Sequence, residues 1–150
     1  MRAAVHELKY RNLRAIAPCL AAYMCAYMAE WGPEPELVVP VPMHSRHQHR
    51  RGYNQAELLA RALARSQGLA FRAALKRTSG QASQVRSRSV SERHRNVAGA
   101  FTCVDESISG KRILLIDDVC TTGATLEACA AALRAAGASE VSGLTVAREV

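Results

Sequence analysis

The segment from Ile113 to Thr125, ILLIDDVCTTGAT, constrains the fold of this 150-residue chain more than any other feature. Residues 113–116 are apolar and branched, which is the pattern of a strand covered on both faces in a parallel sheet. Because adjacent carboxylates resist burial, we expect Asp117 and Asp118 to end this strand at its solvent-facing carboxyl edge. The segment therefore predicts an α/β fold with a ligand site where the strand ends.

A loop of small and hydroxyl-bearing residues follows the two acids. With no bulky side chain in the way, its backbone N–H groups can converge on an anion. A helix over about residues 126–136, stopped by Gly137, would add the partial positive charge of its amino end. The unit predicts a phosphate site, with the acids facing a metal ion or polyol hydroxyls. The loop comprises Thr121, Thr122, Gly123, Ala124 and Thr125.

Two other interpretations of this segment compete with a sugar-phosphate site. In the first, the acids only cap a helix and the threonines only populate a turn. In the second, the segment belongs to a different class of nucleotide site. It contains neither Gly-x-x-x-x-Gly-Lys-Ser/Thr nor Gly-x-Gly-x-x-Gly, so a mononucleotide or sugar phosphate fits better.

The rest of the chain repeats the alternation of strand and helix. Residues 37–42 predict a strand, and Asn54 with Glu57 forms a candidate capping box for a helix that ends near Gly68. Apolar residues at helical spacing, including Tyr23 and Tyr27, predict one or two helices in the first thirty residues. Further strands are expected over residues 70–75, 100–104 and 141–147, the last of them buried. The expected fold is a mostly parallel central sheet flanked by helices.

Two basic stretches are candidates for binding anions. The loop over residues 43–53 gathers cations suited to pyrophosphate, and these surround His44, His47 and His49 too closely for a zinc site. Residues 77–95 are rich in Ser and Arg without apolar periodicity, which predicts a functional lid. The candidate anion-binding residues are Arg46, Arg51 and Gly52 in the first stretch, and Arg86, Arg88 and Arg93 in the second.

Composition narrows the classes of partner and compartment. The net charge is +7, carried mainly by Arg, which favours phosphorylated or acidic partners and also allows nucleic acid. The five cysteines form no Cys-x-x-Cys pair, which predicts reduced thiols in a cytoplasm. No secretory signal is predicted, because residues 1–9 carry Arg2, His6, Glu7 and Lys9 where such a signal needs an apolar core. No membrane-spanning segment is predicted, because the apolar stretch at residues 15–29 is short and contains Pro18.

The apolar strand, paired acids and Thr-Thr-Gly-Ala-Thr loop resemble the phosphoribosyl pyrophosphate motif of type I phosphoribosyltransferases. The order Val-Pro-Val-Pro, His44, Arg46 and Arg-Gly-Tyr-Asn-Gln at 51–55 resembles the ComF/GntX family specifically. Supporting similarities are Leu-Lys-Tyr at residues 8–10, Glu92-Arg93, Asn96 and Ala100-Phe101. The resemblance implies one type I phosphoribosyltransferase-like domain over 1–150, with residues 1–30 as a helical hood on a core at 37–150. The zinc module that begins many family members is absent from this sequence: either this member lacks it, or its start lies further upstream.

The resemblance also implies an activity, namely transfer of phosphoribosyl to an acceptor with magnesium bridging pyrophosphate and ribose. Asp117 and Asp118 would then contact the ribose hydroxyls, the loop would hold the 5-phosphate, and the two basic stretches would hold pyrophosphate. The expected ligands are phosphoribosyl pyrophosphate or a nucleotide 5-phosphate, and a homodimer is a further expectation. The alternative is a non-catalytic accessory protein of DNA uptake that binds single-stranded DNA or the competence machinery. Aromatic stacking platforms, which usually accompany such binding, are scarce beyond Tyr53 and Phe71, and this scarcity weakens the DNA alternative.

Overall fold

A computed structural model of the chain describes residues 14–43, 52–78 and 99–148. These ranges contain three α-helices, two single-turn 3-10 helices at Arg14–Ile16 and Glu106–Ile108, and six strands. The helices are α1 (Ala17–Trp31), α2 (Gln55–Gln67) and α3 (Ala124–Ala135). The strands are β1 (Leu37–Pro40), β2 (Ala70–Phe71), β3 (Leu75–Arg77), β4 (Phe101–Cys103), β5 (Arg112–Cys120) and β6 (Glu140–Arg148).

Four of the strands form a parallel sheet in the order β2-β1-β5-β6. Strands β1 and β5 pair from Leu37 opposite Ile113 to Pro40 opposite Ile116. Strands β3 and β4 form a separate antiparallel pair. The predicted α/β fold with a mostly parallel central sheet is therefore confirmed.

The sheet has a hydrophobic core on each face. On one face, Val38, Leu114 and Ile116 pack with α1 and α2. On the other face, Ile113 and Leu115 pack in a second cluster with Cys129 and Leu133 of α3. Residues 113–116 are at most 1% exposed, so the strand buried on both faces is confirmed.

Local signals set the ends of α1 and α2 as the sequence indicates. Pro18 lies in the first turn of α1, where a missing N–H costs no helical hydrogen bond. The side chain of Asn54 caps α2 by accepting from Ala56 N, and Gly68 ends that helix in the left-handed region. Glu57, expected in a capping box, instead accepts hydrogen bonds from Arg61 one turn later.

Three expected strands differ in the structure. Asp117 and Asp118 do not end β5, which continues to Cys120 because β6 pairs along its whole length. The strand expected over residues 70–75 is two short strands, β2 and β3, in different sheets. Strand β6 is half-buried, not buried as expected. It lies at the edge of the sheet, so it has a neighbouring strand, β5, on one side alone.

The amino-terminal helix departs from the expected amphipathic pattern. Leu20 and Met24 are buried, but Tyr23 and Tyr27 are 61% and 55% exposed. Because α1 is apolar on nearly all sides, its sequence pattern does not predict which face packs against the rest of the protein. In the described part of the chain, no helix is long and apolar enough to cross a membrane.

Candidate functional site

The two acids of the central motif lie half-buried inside β5, at the carboxyl edge of the sheet. Asp117 Oδ1 accepts a hydrogen bond from Asp118 N at 2.8 Å, and Asp118 Oδ1 accepts one from Val119 N at 2.7 Å. The register of β5 with β6 stays constant through these residues, so successive side chains alternate between faces. Asp118 therefore shares the face of Ile116, towards α1 and α2, and Asp117 shares the face of Leu115, towards α3.

The buried thiol of Cys129 lies close enough to Asp117 for the charge of that carboxylate to act on it. Burial of this α3 side chain, with a further contribution from the Asp117 carboxylate, raises the pKa of Cys129 to about 12. The Arg77 guanidinium acts on the same thiol in the opposite direction. Asp117 and Arg77 thus both lie on the α3 side of the sheet.

The predicted phosphate loop leads directly into α3. The helix begins at Ala124, two residues earlier than expected, and its N-cap is Gly123 with φ +82°. Glycine has no side chain to cap the first turn, and only a long contact of 3.4 Å joins Ala124 N to Thr122 Oγ1. By contrast, Asn54 caps α2 with its own side chain. The amino end of α3 therefore presents N–H donors suited to an anion.

The structure describes the two ends of the first basic stretch. Val41 N donates to Ile116 O at 2.8 Å, and Asn54 Nδ2 donates to Val41 O at 2.9 Å. These bonds hold both ends of the stretch at the sheet edge that carries Asp117. Gly52 is exposed with φ +77°. Arg46, Arg51 and the three histidines lie outside the described residues.

The ends of the second basic stretch are also joined. Thr78 N donates to Ala100 O at 2.9 Å, and Thr78 Oγ1 donates to Gly99 O at 3.1 Å. Arg77, expected in the lid, belongs to β3 and lies over the Phe101 ring at 5.4 Å. The other predicted lid residues, Arg86, Arg88 and Arg93, lie outside the described residues.

A groove of about 440 Å³ runs along α3 beside the loop. Gly99 and Phe101 line one wall, and Ala124, Glu127 and the following alanines of α3 line the other. Its small side chains leave room next to the amino end of the helix. The groove thus connects the predicted phosphate loop with the end of the second basic stretch.

The positive charge of the protein is unevenly distributed along the sequence. The described ranges contain ten Lys and Arg residues and ten Asp and Glu residues, so they carry no net charge. The excess of +7, together with all five histidines, falls on the remaining segments, mainly residues 1–13, 44–51 and 79–98. If an anion binds at the carboxyl edge of the sheet, the compensating positive charge would have to come from these segments. The described residues at that edge would supply hydrogen-bond donors.

The residues fit a magnesium ion that is held partly by a ligand. Among the described residues, no group of three or more His, Cys, Asp or Glu side chains could hold a metal alone. Asp117 and Asp118 supply the carboxylate oxygens that magnesium prefers. Magnesium commonly binds one or two carboxylates and completes its shell with waters and substrate phosphates, which suits this pair.

The predicted DNA-stacking platforms are not available in the described structure. Tyr53 is only 7% exposed. The Arg61 guanidinium covers the Phe71 ring at 4.1 Å from its centroid. Both rings are used in internal packing, which weakens the DNA alternative further. The exposed aromatic side chains in the described ranges are Tyr23 and Tyr27.

Gln55, the first residue of α2, belongs to the Arg-Gly-Tyr-Asn-Gln run at residues 51–55 but is not among the predicted site residues. Gln55 is 1% exposed, and neither atom of its amide has a hydrogen-bond partner. The available signal was its place in the i, i+4, i+8 stripe that continues as Leu59 and Leu63. A polar residue in an otherwise apolar stripe is a departure that points to function.

Comparison with known proteins gives one family for this arrangement. The family described as phosphoribosyl transferase domain matches residues 49–149. Among curated relatives, DNA utilization protein YhgH of Salmonella typhi is 34% identical over 91% of this chain and 62% of its own length. Competence protein F of Haemophilus influenzae is 36% identical over 71% of the chain and 48% of its own length. Competence protein ComFC of Bacillus subtilis is 31% identical over 99% and 60%.

Solved structures agree on the fold. The chain matches the B. subtilis glutamine phosphoribosylpyrophosphate amidotransferase complexed with ADP and GMP, with TM-score 0.58 and 23% identity. The match covers 87% of this chain and 26% of the amidotransferase. The chain thus spans about half to three fifths of the length of these curated relatives and a quarter of that enzyme. The chain therefore belongs to the phosphoribosyl transferase domain family and, within it, to the ComF family.

Proposed function

We propose that the carboxyl edge of β1 and β5 binds phosphoribosyl pyrophosphate or a nucleotide 5-phosphate, and that the protein transfers phosphoribosyl to an acceptor. The observation that carries the proposal is one continuous unit: two half-buried carboxylates followed by a glycine-headed helix without a side-chain cap. Membership of the phosphoribosyl transferase domain family supports the same class of ligand.

The 5-phosphate would lie at the amino end of α3. The loop from Thr121 to Thr125 offers backbone N–H groups, hydroxyls and the positive end of the helix dipole. Gly123 supports this role in two ways: it provides the turn into the helix, and it adds no side chain that would occupy the anion's position. Fixing the phosphate there would hold the sugar in a defined orientation.

Asp117 and Asp118 would accept hydrogen bonds from the ribose hydroxyls. Each carboxylate already accepts a hydrogen bond from the backbone N–H of the next residue. An ionised carboxylate can accept more than one hydrogen bond. Because the two side chains leave β5 on opposite faces, they would approach the sugar from two sides of the strand end. Their negative charge would also lie near the cationic sugar that develops during transfer.

The reaction breaks the bond between C1 of ribose and the pyrophosphate oxygen, and the electron pair leaves with pyrophosphate. A lone pair of the acceptor forms the new bond to C1. Arg46, Arg51 and Gly52 would bind the leaving pyrophosphate, with help from Arg86, Arg88 and Arg93. Magnesium, when bound, would neutralise pyrophosphate charge next to Asp117 and Asp118.

Calorimetry with phosphoribosyl pyrophosphate and magnesium tests the proposal. The Asp117→Asn, Asp118→Asn double variant should bind at least about tenfold more weakly than wild type, equivalent to about 1.4 kcal/mol. A matched control is Glu106→Gln with Glu140→Gln, which removes two charges from exposed positions outside the acidic pair. Wild type that does not bind, or a double variant that binds as tightly as the control, would refute the assignment.

Single-stranded DNA binding in DNA uptake is the second candidate function. The names of the relatives, competence protein and DNA utilization protein, favour it. Because the described ranges are neutral overall, contacts with DNA phosphates would depend on the basic segments outside them. A titration of oligonucleotide binding against salt should show a steep loss of affinity. If stacking contributes, Tyr23→Ala with Tyr27→Ala should weaken binding. Affinity independent of salt would rule out this electrostatic mode.

A further inference from the structure

The amide of Gln55 is an unusual component of the core. It opens α2, is 1% exposed, and has no hydrogen-bond partner for Nε2 or Oε1. A buried amide without partners is unfavourable, whereas an apolar side chain of similar shape would be tolerated at no such cost. The neighbouring Asn54 differs, because its nitrogen bonds Val41 O and its oxygen accepts from Ala56 N. The amide of Gln55 therefore requires a reason other than folding.

The geometry of α2 places Gln55 at the level of Asp118. Helix α2 connects the parallel strands β1 and β2, so it runs against the strand direction and begins at the carboxyl edge of the sheet. Its buried stripe continues from Gln55 to Leu59 and Leu63, which share a cluster with Leu114 and Ile116 of β5.

The repeats of this stripe and of β5 nearly match. Four helical residues rise about 6 Å, and two strand residues rise about 6.6 Å. Moving back four residues along the α2 stripe therefore covers about the same distance as moving forward two residues along one face of β5. Beyond Leu114 and Ile116, the next β5 residue on that face is Asp118. Beyond Leu63 and Leu59, the next residue of the stripe is Gln55.

We infer that Gln55 is a positioning residue for Asp118: its Nε2 donates to the Asp118 carboxylate when a sugar phosphate engages the site. This inference rests on the proposed function. Val119 N already fixes Asp118 Oδ1, and a second donor would fix the plane of the carboxylate towards the ribose hydroxyls. A neutral amide can do so without the positive charge of Lys or Arg, which would compete with magnesium. Exclusion from water strengthens such a bond.

The inference predicts opposite effects on stability and affinity in Gln55→Met. This change keeps an unbranched side chain and removes both unpartnered atoms, so the melting temperature should equal or exceed that of wild type. The dissociation constant for phosphoribosyl pyrophosphate with magnesium should rise about tenfold, the loss expected for one hydrogen bond to a carboxylate. The control is Leu59→Ala in the next turn of the stripe. It should lower the melting temperature through a cavity and leave the dissociation constant within about twofold.

A double-mutant cycle tests whether Gln55 acts through Asp118. In an Asp118→Asn background, Gln55→Met should cause less than about a twofold further loss of affinity. Fully additive losses would overturn the inference, as would a Gln55→Met protein that binds like wild type or an equal loss in Leu59→Ala. Wild type that does not bind the probe would overturn the proposed function together with the inference. If Asp118→Asn weakens binding while Gln55→Met does not, only the role of Gln55 fails.

Discussion

Replacing Gly123 with Ala separates the backbone requirement of the loop from side-chain contacts. Gly123 has φ +82°, a conformation that costs a residue with a Cβ about 1–2 kcal/mol. A Cβ at this position would have Cys120 Sγ, at 4.0 Å, as its nearest neighbour, so no steric clash adds to that cost. Alanine also restricts the unfolded chain more than glycine does, which stabilises the folded state by about 0.4–1 kcal/mol. The expected net destabilisation is therefore about 1 kcal/mol, or about 2–4 °C in melting temperature.

Gly68 provides a matched control for this substitution. It has φ +66°, no heavy atom within 4 Å of an added Cβ, and a position at the far end of α2 from the site. Gly68→Ala should therefore cost about the same stability as Gly123→Ala in urea unfolding. Only Gly123→Ala should weaken binding of ribose 5-phosphate, since it changes the direction of the N–H groups at the start of α3. Equal binding by the two variants, or a neutral Gly123→Ala, would refute this reasoning.

Two further predictions concern α2 and α3. Asn54→Ala removes the cap of α2 and leaves Val41 O without its donor, so urea unfolding should show a loss of about 2–3 kcal/mol; a loss below about 0.5 kcal/mol would contradict the role of this residue. Because burial raises the pKa of Cys129 to about 12, above its ordinary value of 9.0, its contribution to stability is complete below pH 9 and is lost as pH rises from there towards 12. Cys129→Ala should flatten this alkaline loss of stability, and in native wild type a thiol reagent at neutral pH should modify the exposed Cys19 long before Cys129.

Sequence reasoning succeeded where the determining interactions are local. The buried character of residues 113–116, the Asn54 cap and the Gly68 stop are each written in a few adjacent residues. The carboxyl-edge position of Asp117 follows from the same strand pattern. These features required no knowledge of distant partners.

Sequence reasoning failed where distant contacts decide. Strand β5 extends through Asp117 and Asp118 because β6 pairs with it, and the propensity of two acids to end a strand does not reveal that partner. The exposure of Tyr23 depends on which face of an apolar helix meets the sheet, which its uniform pattern does not encode. The unpartnered amide of Gln55 becomes apparent only when the side chains around it are in place.

The unit from Asp117 to Thr125 is proposed to hold a sugar phosphate. Amide NMR of the ¹⁵N-labelled protein during titration with phosphoribosyl pyrophosphate and magnesium tests this claim most directly. The largest shift changes should fall on the N–H groups of Gly123, Ala124 and Thr125, with smaller changes at Asp118 and Val119. Saturable binding that leaves these five amides unmoved while others shift would contradict the claim.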